Sequence, residues 1–128
     1  MPNRVVHFEI QADNVQRAKA FYEKTLGWKI TQAMKKEDGF MDYWLIMTGE
    51  TGTPGINGGL YQRPAEGEKL YLYDCTIDVA NLDKAIESIK VNGGTIIKDK
   101  VQLPGVGWFA AARDTEGNKL GLMQASSK

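Results

Sequence analysis

The chain has one histidine, His7, in the run Val6-His7-Phe8-Glu9-Ile10. An imidazole titrates near neutral pH, so it can move a proton, accept a hydrogen bond or hold a divalent ion. Glu9 follows two residues later, a spacing that puts both side chains on one face of a strand. Asp74 stands 67 residues beyond His7, at the matching place in Tyr73-Asp74-Cys75-Thr76-Ile77. An imidazole and a carboxylate at matched places suit an acid–base dyad or a plain hydrogen bond that raises the histidine pKa. The residue types leave both open, and His7 and Asp74 are the candidate catalytic pair.

Other groups read as structure. Cys75 falls on the apolar side of its strand and reads as a small buried hydrophobe, not a nucleophile. Gly52, Gly55, Gly58 and Gly59 make a glycine-rich stretch, but no Gly-Lys-Ser/Thr and no helix follows, so it is a hairpin and not a phosphate loop. Arg113-Asp114 before Gly117 reads as a turn. Phe21, Tyr22 and Trp28 read as core.

The elements that must position these groups come from an internal repeat. Residues 7–30 lie over 74–97 at an offset of 67, and Gly55–Gln62 lies over Gly117–Gln124 at an offset of 62. Each half opens with a strand, Val5–Ile10 and Leu72–Ile77. Asn14 and Asn81 are helix caps, whose side-chain oxygens can take a free N–H of the first turn. Helical spacing follows in Val15, Ala18, Phe21, Tyr22 and Leu26, and in Leu82, Ala85, Ile86 and Ile89. Gly27 and Gly93-Gly94 end the helices. Three more strands complete each half: about 28–34, 42–48 and 56–62, then about 95–100, 107–112 and 119–124. The expected fold class is α+β, with paired βαβββ modules whose curved mixed sheets form a cup. The whole chain, 1–128, reads as a single domain, with module one at about 4–62, a linker at 63–69 and module two at about 70–125.

Alternation divides each strand between two faces. Val6, Phe8 and Ile10, like Tyr73, Cys75 and Ile77, should pack under a helix. The mixed set, His7, Glu9, Asn57, Gly59, Tyr61, Asp74, Thr76, Lys119, Gly121 and Met123, should line the cup. Polar groups in four strands argue against a dry interior there, and a hollow with a few converging polar groups suits a small-molecule ligand.

Composition narrows the partners. Sixteen basic residues balance sixteen acidic ones and are scattered, which gives no basic patch for nucleic acid or an anionic membrane. No apolar run reaches membrane-spanning length. A lone cysteine cannot form an internal disulfide, and no signal-peptide pattern precedes the first strand, so a reducing cytoplasmic location is expected.

The opening, His7-Phe8-Glu9-Ile10 with Asn14, Ala18, Phe21-Tyr22 and Leu26-Gly27-Trp28, resembles that of the vicinal-oxygen-chelate (VOC) superfamily. This is the glyoxalase/bleomycin resistance protein/dioxygenase family. Arg113-Asp114-Thr115-Glu116-Gly117-Asn118 is similar to the family's signature before its last strand. Pro104-Gly105-Val106-Gly107-Trp108-Phe109 resembles the predicted lactoylglutathione-lyase-related subgroup. The resemblance covers about residues 4 to 125.

The resemblance implies the glyoxalase/bleomycin resistance fold. In metal-using members it also implies one ligand on each of four strands around a Zn, Ni, Mn or Fe ion, which acts as a Lewis acid on neighbouring substrate oxygens. Those positions fall on His7, Gly59, Asp74 and Gly121. Glycine replaces both usual glutamates, one of which supplies the general base in relatives, so the metal positions are vestigial. No cofactor is expected, and a divalent metal is the lesser alternative. The bare glycines should widen the cavity. The first reading is therefore a metal-independent small-molecule-binding protein, a homodimer by family habit and symmetry. The alternative is a glyoxalase I-like lyase using His7 and Asp74, and a third is a degenerate domain serving protein association alone.

Overall fold

The computed structural model describes residues 3–126. Met1, Pro2, Ser127 and Lys128, which the single-domain reading includes, lie outside the described residues. The chain falls into two compact units. One runs His7–Tyr73, and the other runs from Asp74 onward and takes in the N-terminal residues through Val6.

The first βαβββ motif is β1 (Val5–Ala12), α1 (Val15–Leu26), β2 (Lys29–Met34), β3 (Tyr43–Met47) and β4 (Asn57–Gln62). Its strand order is β2-β3-β4-β1. β4 runs parallel to β1, and β3 runs antiparallel to both β2 and β4. The Asn14 side chain accepts from the Arg17 N–H at 3.0 Å and starts α1. Gly27, at φ 74°, ends it by donating its N–H to the Glu23 carbonyl. Such a left-handed residue carries no Cβ penalty when it is glycine. Alternate residues of the strands, Phe8 and Ile10, Trp44 and Ile46, and Leu60, are buried together with Val15 and Ile30. Ala18, Tyr22 and Trp28 close the cluster from the helix side. The opposite face of β1 and β4 is thereby left to the polar set.

The second motif repeats the plan: β5 (Asp74–Asp78), α2 (Leu82–Val91), β6 (Thr95–Leu103), β7 (Gly107–Arg113) and β8 (Lys119–Ala125). The order is β5-β8-β7-β6, with β8 parallel to β5 and antiparallel to β7. Asn81 caps α2 by accepting from the Lys84 N–H at 3.0 Å. The Leu82 N–H donates to the Gln124 side chain at 2.7 Å, tying the helix start to β8. Val79, Leu82, Ile86, Ala110 and Leu122 form the core. The turn before β8 is held by Asp114. Its carboxylate accepts from the N–H groups of Glu116 and Asn118, both at 2.9 Å. Those bonds, that from Asn118 first, hold its pKa below the ordinary range. The guanidinium of Arg113 donates to the Gly117 carbonyl. The Arg113-Asp114 motif is thus a turn, as its residues suggest.

Four expectations about faces are corrected. Val6 is exposed, and the buried alternation of β1 begins only at Phe8. Phe21 is 58% exposed. Tyr22 takes the inward position and stacks on Trp28 at 5.1 Å, leaving Phe21 edge-on to Tyr22 from outside. Tyr73 precedes β5 and is half exposed; its ring lies over Phe8 at 5.6 Å and its hydroxyl donates to Tyr22 at 3.0 Å. Cys75 is only partly buried.

Truncating Leu60, which is fully buried, to alanine should cost about 2–5 kcal/mol in urea unfolding. Asn81→Ala should cost about 1 kcal/mol through the lost cap. Burial, then the bond to Tyr22, pushes the Tyr73 hydroxyl up to about 12. A raised folded pKa means the neutral phenol is the favoured form. Its stabilising contribution is therefore complete below about pH 10 and is lost as pH rises through about 12. Ultraviolet titration should show one late tyrosine that Tyr73→Phe removes.

Candidate functional site

In the first unit, His7 and Glu9 point to the same side of β1, opposite Asn57 and Gly59 of β4. Their side chains are 27% and 19% exposed. The third member of the cluster comes from β3. Leu45 is the direct partner of Gly59, and Tyr43, two residues earlier on the same face, reaches diagonally across the glycine. Its hydroxyl lies 2.8 Å from His7 Nε2 and donates to Glu9 Oε2. His7 Nε2 and Glu9 Oε2 are 3.0 Å apart. Imidazole, carboxylate and phenol therefore share one hydrogen-bonded contact.

This arrangement requires glycine at position 59. A Cβ there would lie 1.6 Å from the Tyr43 hydroxyl and 2.7 Å from Glu9 Oε2. Tyr61 continues the aromatic surface, with its ring 6.2 Å from that of Tyr43. The buried Gln11 donates to the Tyr61 hydroxyl at 3.0 Å and to the Glu68 carbonyl, and accepts from the Leu70 N–H. Asn57 is exposed and turned to the hairpin, where its side-chain oxygen accepts from the Thr48 N–H at 2.9 Å.

The second unit repeats the geometry with different chemistry. Thr76 of β5 faces Gly121 of β8, and Asp78 faces Met123. Asp74 and Thr76 are buried. Lys119 Nζ lies 3.5 Å from Asp74 Oδ2, with both side chains largely out of solvent. Removing one partner of a buried ion pair leaves an uncompensated charge and typically costs about 3–5 kcal/mol. Ala111 is the cross-strand partner of Gly121, and Phe109 stands two residues before it. A Cβ at 121 would come within 2.9 Å of the Phe109 ring and 3.0 Å of Thr76 Oγ1. Phe109 thus relates to Gly121 as Tyr43 relates to Gly59.

The expectation that the two glycines widen a cavity is overturned within each unit. The space above each glycine is taken by an aromatic ring from the neighbouring strand. Tyr43 and Phe109 escaped the sequence reading, although an aromatic residue two before a glycine's cross-strand partner was the available signal. His7 has Glu9 and Tyr43 as partners in its own unit, and Asp74 has Lys119 in its own. A shallow depression of about 650 Å³ elsewhere on the first unit is lined by Gln32, Lys35, Lys36, Glu37, Asp42 and Trp44. It includes none of the sequence candidates, and the Asp42 carboxylate there already accepts from Gln32 and the Lys36 N–H.

The residues do not fit the four-ligand centre that the resemblance implies. Positions 59 and 121 carry no donor, and a donor-bearing side chain at either would collide with a ring. Among the described residues, no three His, Cys, Asp or Glu side chains are grouped as they would be to hold a metal ion.

Gly59→Ala should lower stability by about 1–3 kcal/mol, the usual cost of overpacking. Adding Tyr43→Ala should recover part of that loss. The coupling in a double-mutant cycle read by urea unfolding should be about 0.5–3 kcal/mol.

Comparison with known proteins agrees with this architecture. Residues 4–122 match the Glyoxalase/Bleomycin resistance protein/Dioxygenase superfamily. A glyoxylase-like domain-containing protein of Didymella fabae is 34% identical over 117 residues, covering 86% of this chain and 84% of that protein. Two solved structures share the fold at low identity. Hypothetical protein BH1468 from Bacillus halodurans has a TM-score of 0.70 at 16% identity, covering 98% of this chain and 96% of that one. Methylmalonyl-CoA epimerase from Mycobacterium tuberculosis has a TM-score of 0.68 at 13% identity, covering 96% and 88%. With its duplicated βαβββ motif and a family match over nearly its whole length, the chain belongs to the glyoxalase/bleomycin resistance protein/dioxygenase superfamily.

Proposed function

We propose that this chain is a small-molecule-binding protein of the glyoxalase/bleomycin-resistance type with a degenerate metal site. One observation carries the reading: the Tyr43 phenol occupies the volume into which a ligand side chain at position 59 would project. A position filled by a neighbouring ring is not waiting for a metal donor. The ring instead presents an aromatic, hydrogen-bonding surface with Tyr61, His7 and Glu9, the mixture typical of small-ligand sites. In the second unit Phe109, Thr76, Lys119 and Met123 are the corresponding candidates. Tyr43 and Phe109 take over the contact roles first given to Gly59 and Gly121. A homodimer working in the cytoplasm belongs to the same proposal.

A second reading has a specific observation behind it. The hydrogen-bonded His7, Glu9 and Tyr43 could move a proton, as a lactoylglutathione-lyase-like enzyme or another proton-transfer enzyme of the family must. Methylmalonyl-CoA epimerases are among the proteins of similar fold. Proton abstraction beside a carbonyl also needs a group to hold the developing oxyanion. No cationic side chain is bonded to the His7, Glu9 and Tyr43 cluster among the contacts that define it, which supports binding as the first reading.

Purified protein grown with added zinc, nickel and manganese should carry no stoichiometric divalent ion by elemental analysis. It should show no turnover of methylglyoxal with glutathione, and it should bind saturably a bulky, largely apolar compound that carries a hydrogen-bonding group. His7→Ala and Tyr43→Phe should each weaken that binding about tenfold, or about 1.4 kcal/mol. One ion per chain together with turnover would overturn the reading in favour of the lyase.

A further inference from the structure

We infer that His7 presents Nδ1 as the acceptor atom of this site, and that Glu9 is the positioning residue that fixes the ring in that state, with the Tyr43 hydroxyl bonded to the same carboxylate. The inference rests on the binding reading above and deepens it. The ligand class it implies is a small molecule that brings an O–H, an N–H or an acidic C–H to the imidazole.

The argument is an accounting of hydrogens. An ionised carboxylate only accepts. Tyr43 has one hydroxyl hydrogen, and it is donated to Glu9. His7 Nε2 lies 3.0 Å from the same carboxylate oxygen and 2.8 Å from the Tyr43 oxygen. Neither contact is attractive unless Nε2 carries a hydrogen, because the phenol hydrogen is already committed. Both contacts therefore place the imidazole hydrogen on Nε2. In the neutral ring the lone pair then belongs to Nδ1. The side chain is 27% exposed, so part of the ring stays within reach of a ligand. A carboxylate that fixes the tautomer through one ring nitrogen sets the role of the other.

The fit failure seen at Gly59 has the same root. An Nε2 bearing hydrogen has no lone pair to give an ion, so the contact that fills position 59 also withdraws this nitrogen from coordination.

Because His7 is the chain's one histidine, ring-nitrogen NMR reads it without ambiguity. With the ring neutral, protein labelled with 15N-histidine should show Nε2 as the protonated nitrogen. Its bonded hydrogen should be visible because exchange is slowed by Glu9, and Nδ1 should be unprotonated. Diethyl pyrocarbonate gives the reactivity readout. The Nδ1 lone pair attacks one carbonyl carbon, the anhydride C–O bond breaks, and ethyl carbonate leaves and decays to ethanol and carbon dioxide. The Nε2 hydrogen departs to solvent as a proton. The expected product is a single ethoxycarbonyl group on Nδ1.

Glu9→Ala should abolish the visible N–H signal and move acylation toward Nε2. Glu9→Gln keeps the shape without the charge and serves as the second variant should the alanine protein fail to fold; it too should lose the slowed N–H. Tyr43→Phe should keep the tautomer, since Glu9 still accepts. A hydrogen on Nδ1, acylation of Nε2 in the wild type, or no acylation where free imidazole reacts would overturn the inference. So would Glu9 variants that change neither readout. Absence of ligand binding alongside the expected tautomer would instead sink the binding reading and leave the assignment of Nδ1 standing.

Discussion

No side chain at position 59 can share its volume with the Tyr43 phenol. The backbone of β3 and β4 sets where that ring falls, because Leu45 pairs with Gly59 and Tyr43 follows on the same face. A Cβ would sit 1.6 Å from the phenol oxygen, far inside any tolerable contact. The glycine is thus the condition that lets the phenol descend to the level of β1. There it meets Glu9, and Glu9 in turn meets His7. Restoring a side chain at 59 would raise the phenol off the sheet and strip the carboxylate of its donor. The local chemistry depends on one missing methyl group.

Duplication copied this constraint but not its chemistry. Gly121 lies under Phe109 by the same diagonal offset, two residues before the glycine's partner Ala111. Phe109 has no hydroxyl, so the second unit has no counterpart to the phenol–carboxylate bond. Its polar groups meet by another route: Asp74 and Lys119 form an ion pair sheltered from water. An ion pair removed from solvent is held to its partner by the cost of separating the charges. An imidazole at the edge of solvent is not so bound. The first unit is therefore the half whose polar cluster stays partly open to solvent.

Much of the fold was legible because it depends on local rules. The caps Asn14 and Asn81, the helix stop at Gly27 and the strand alternation of Phe8 and Ile10 each follow from a few neighbouring residues. The repeat made each assignment in one half support its equivalent in the other. His7 and Glu9 were correctly placed on one face for the same reason. Tyr43 and Phe109 were not legible as site residues, since alternation gives a side chain's face but not what it reaches diagonally. That reach depends on the β3–β4 and β7–β8 registers, which no local pattern states. Phe21 and Tyr73 misled for a related reason: helical and strand periods name a stripe, and the packing of Tyr22 on Trp28 decides which member of the stripe turns in.

Two linked features oppose a family-type metal centre in the first unit. One is steric, the filled volume over Gly59. The other is electronic, the commitment of His7 Nε2 to Glu9 and Tyr43. Either could be relieved alone without restoring the centre. Opening the volume by removing the phenol still leaves Glu9 holding the Nε2 hydrogen. Freeing Nε2 by removing Glu9 still leaves no donor at 59. The space that a donor side chain at 59 would need is filled by a ring whose hydroxyl bonds to His7 and Glu9, so the steric and the hydrogen-bonding obstacles meet in one side chain.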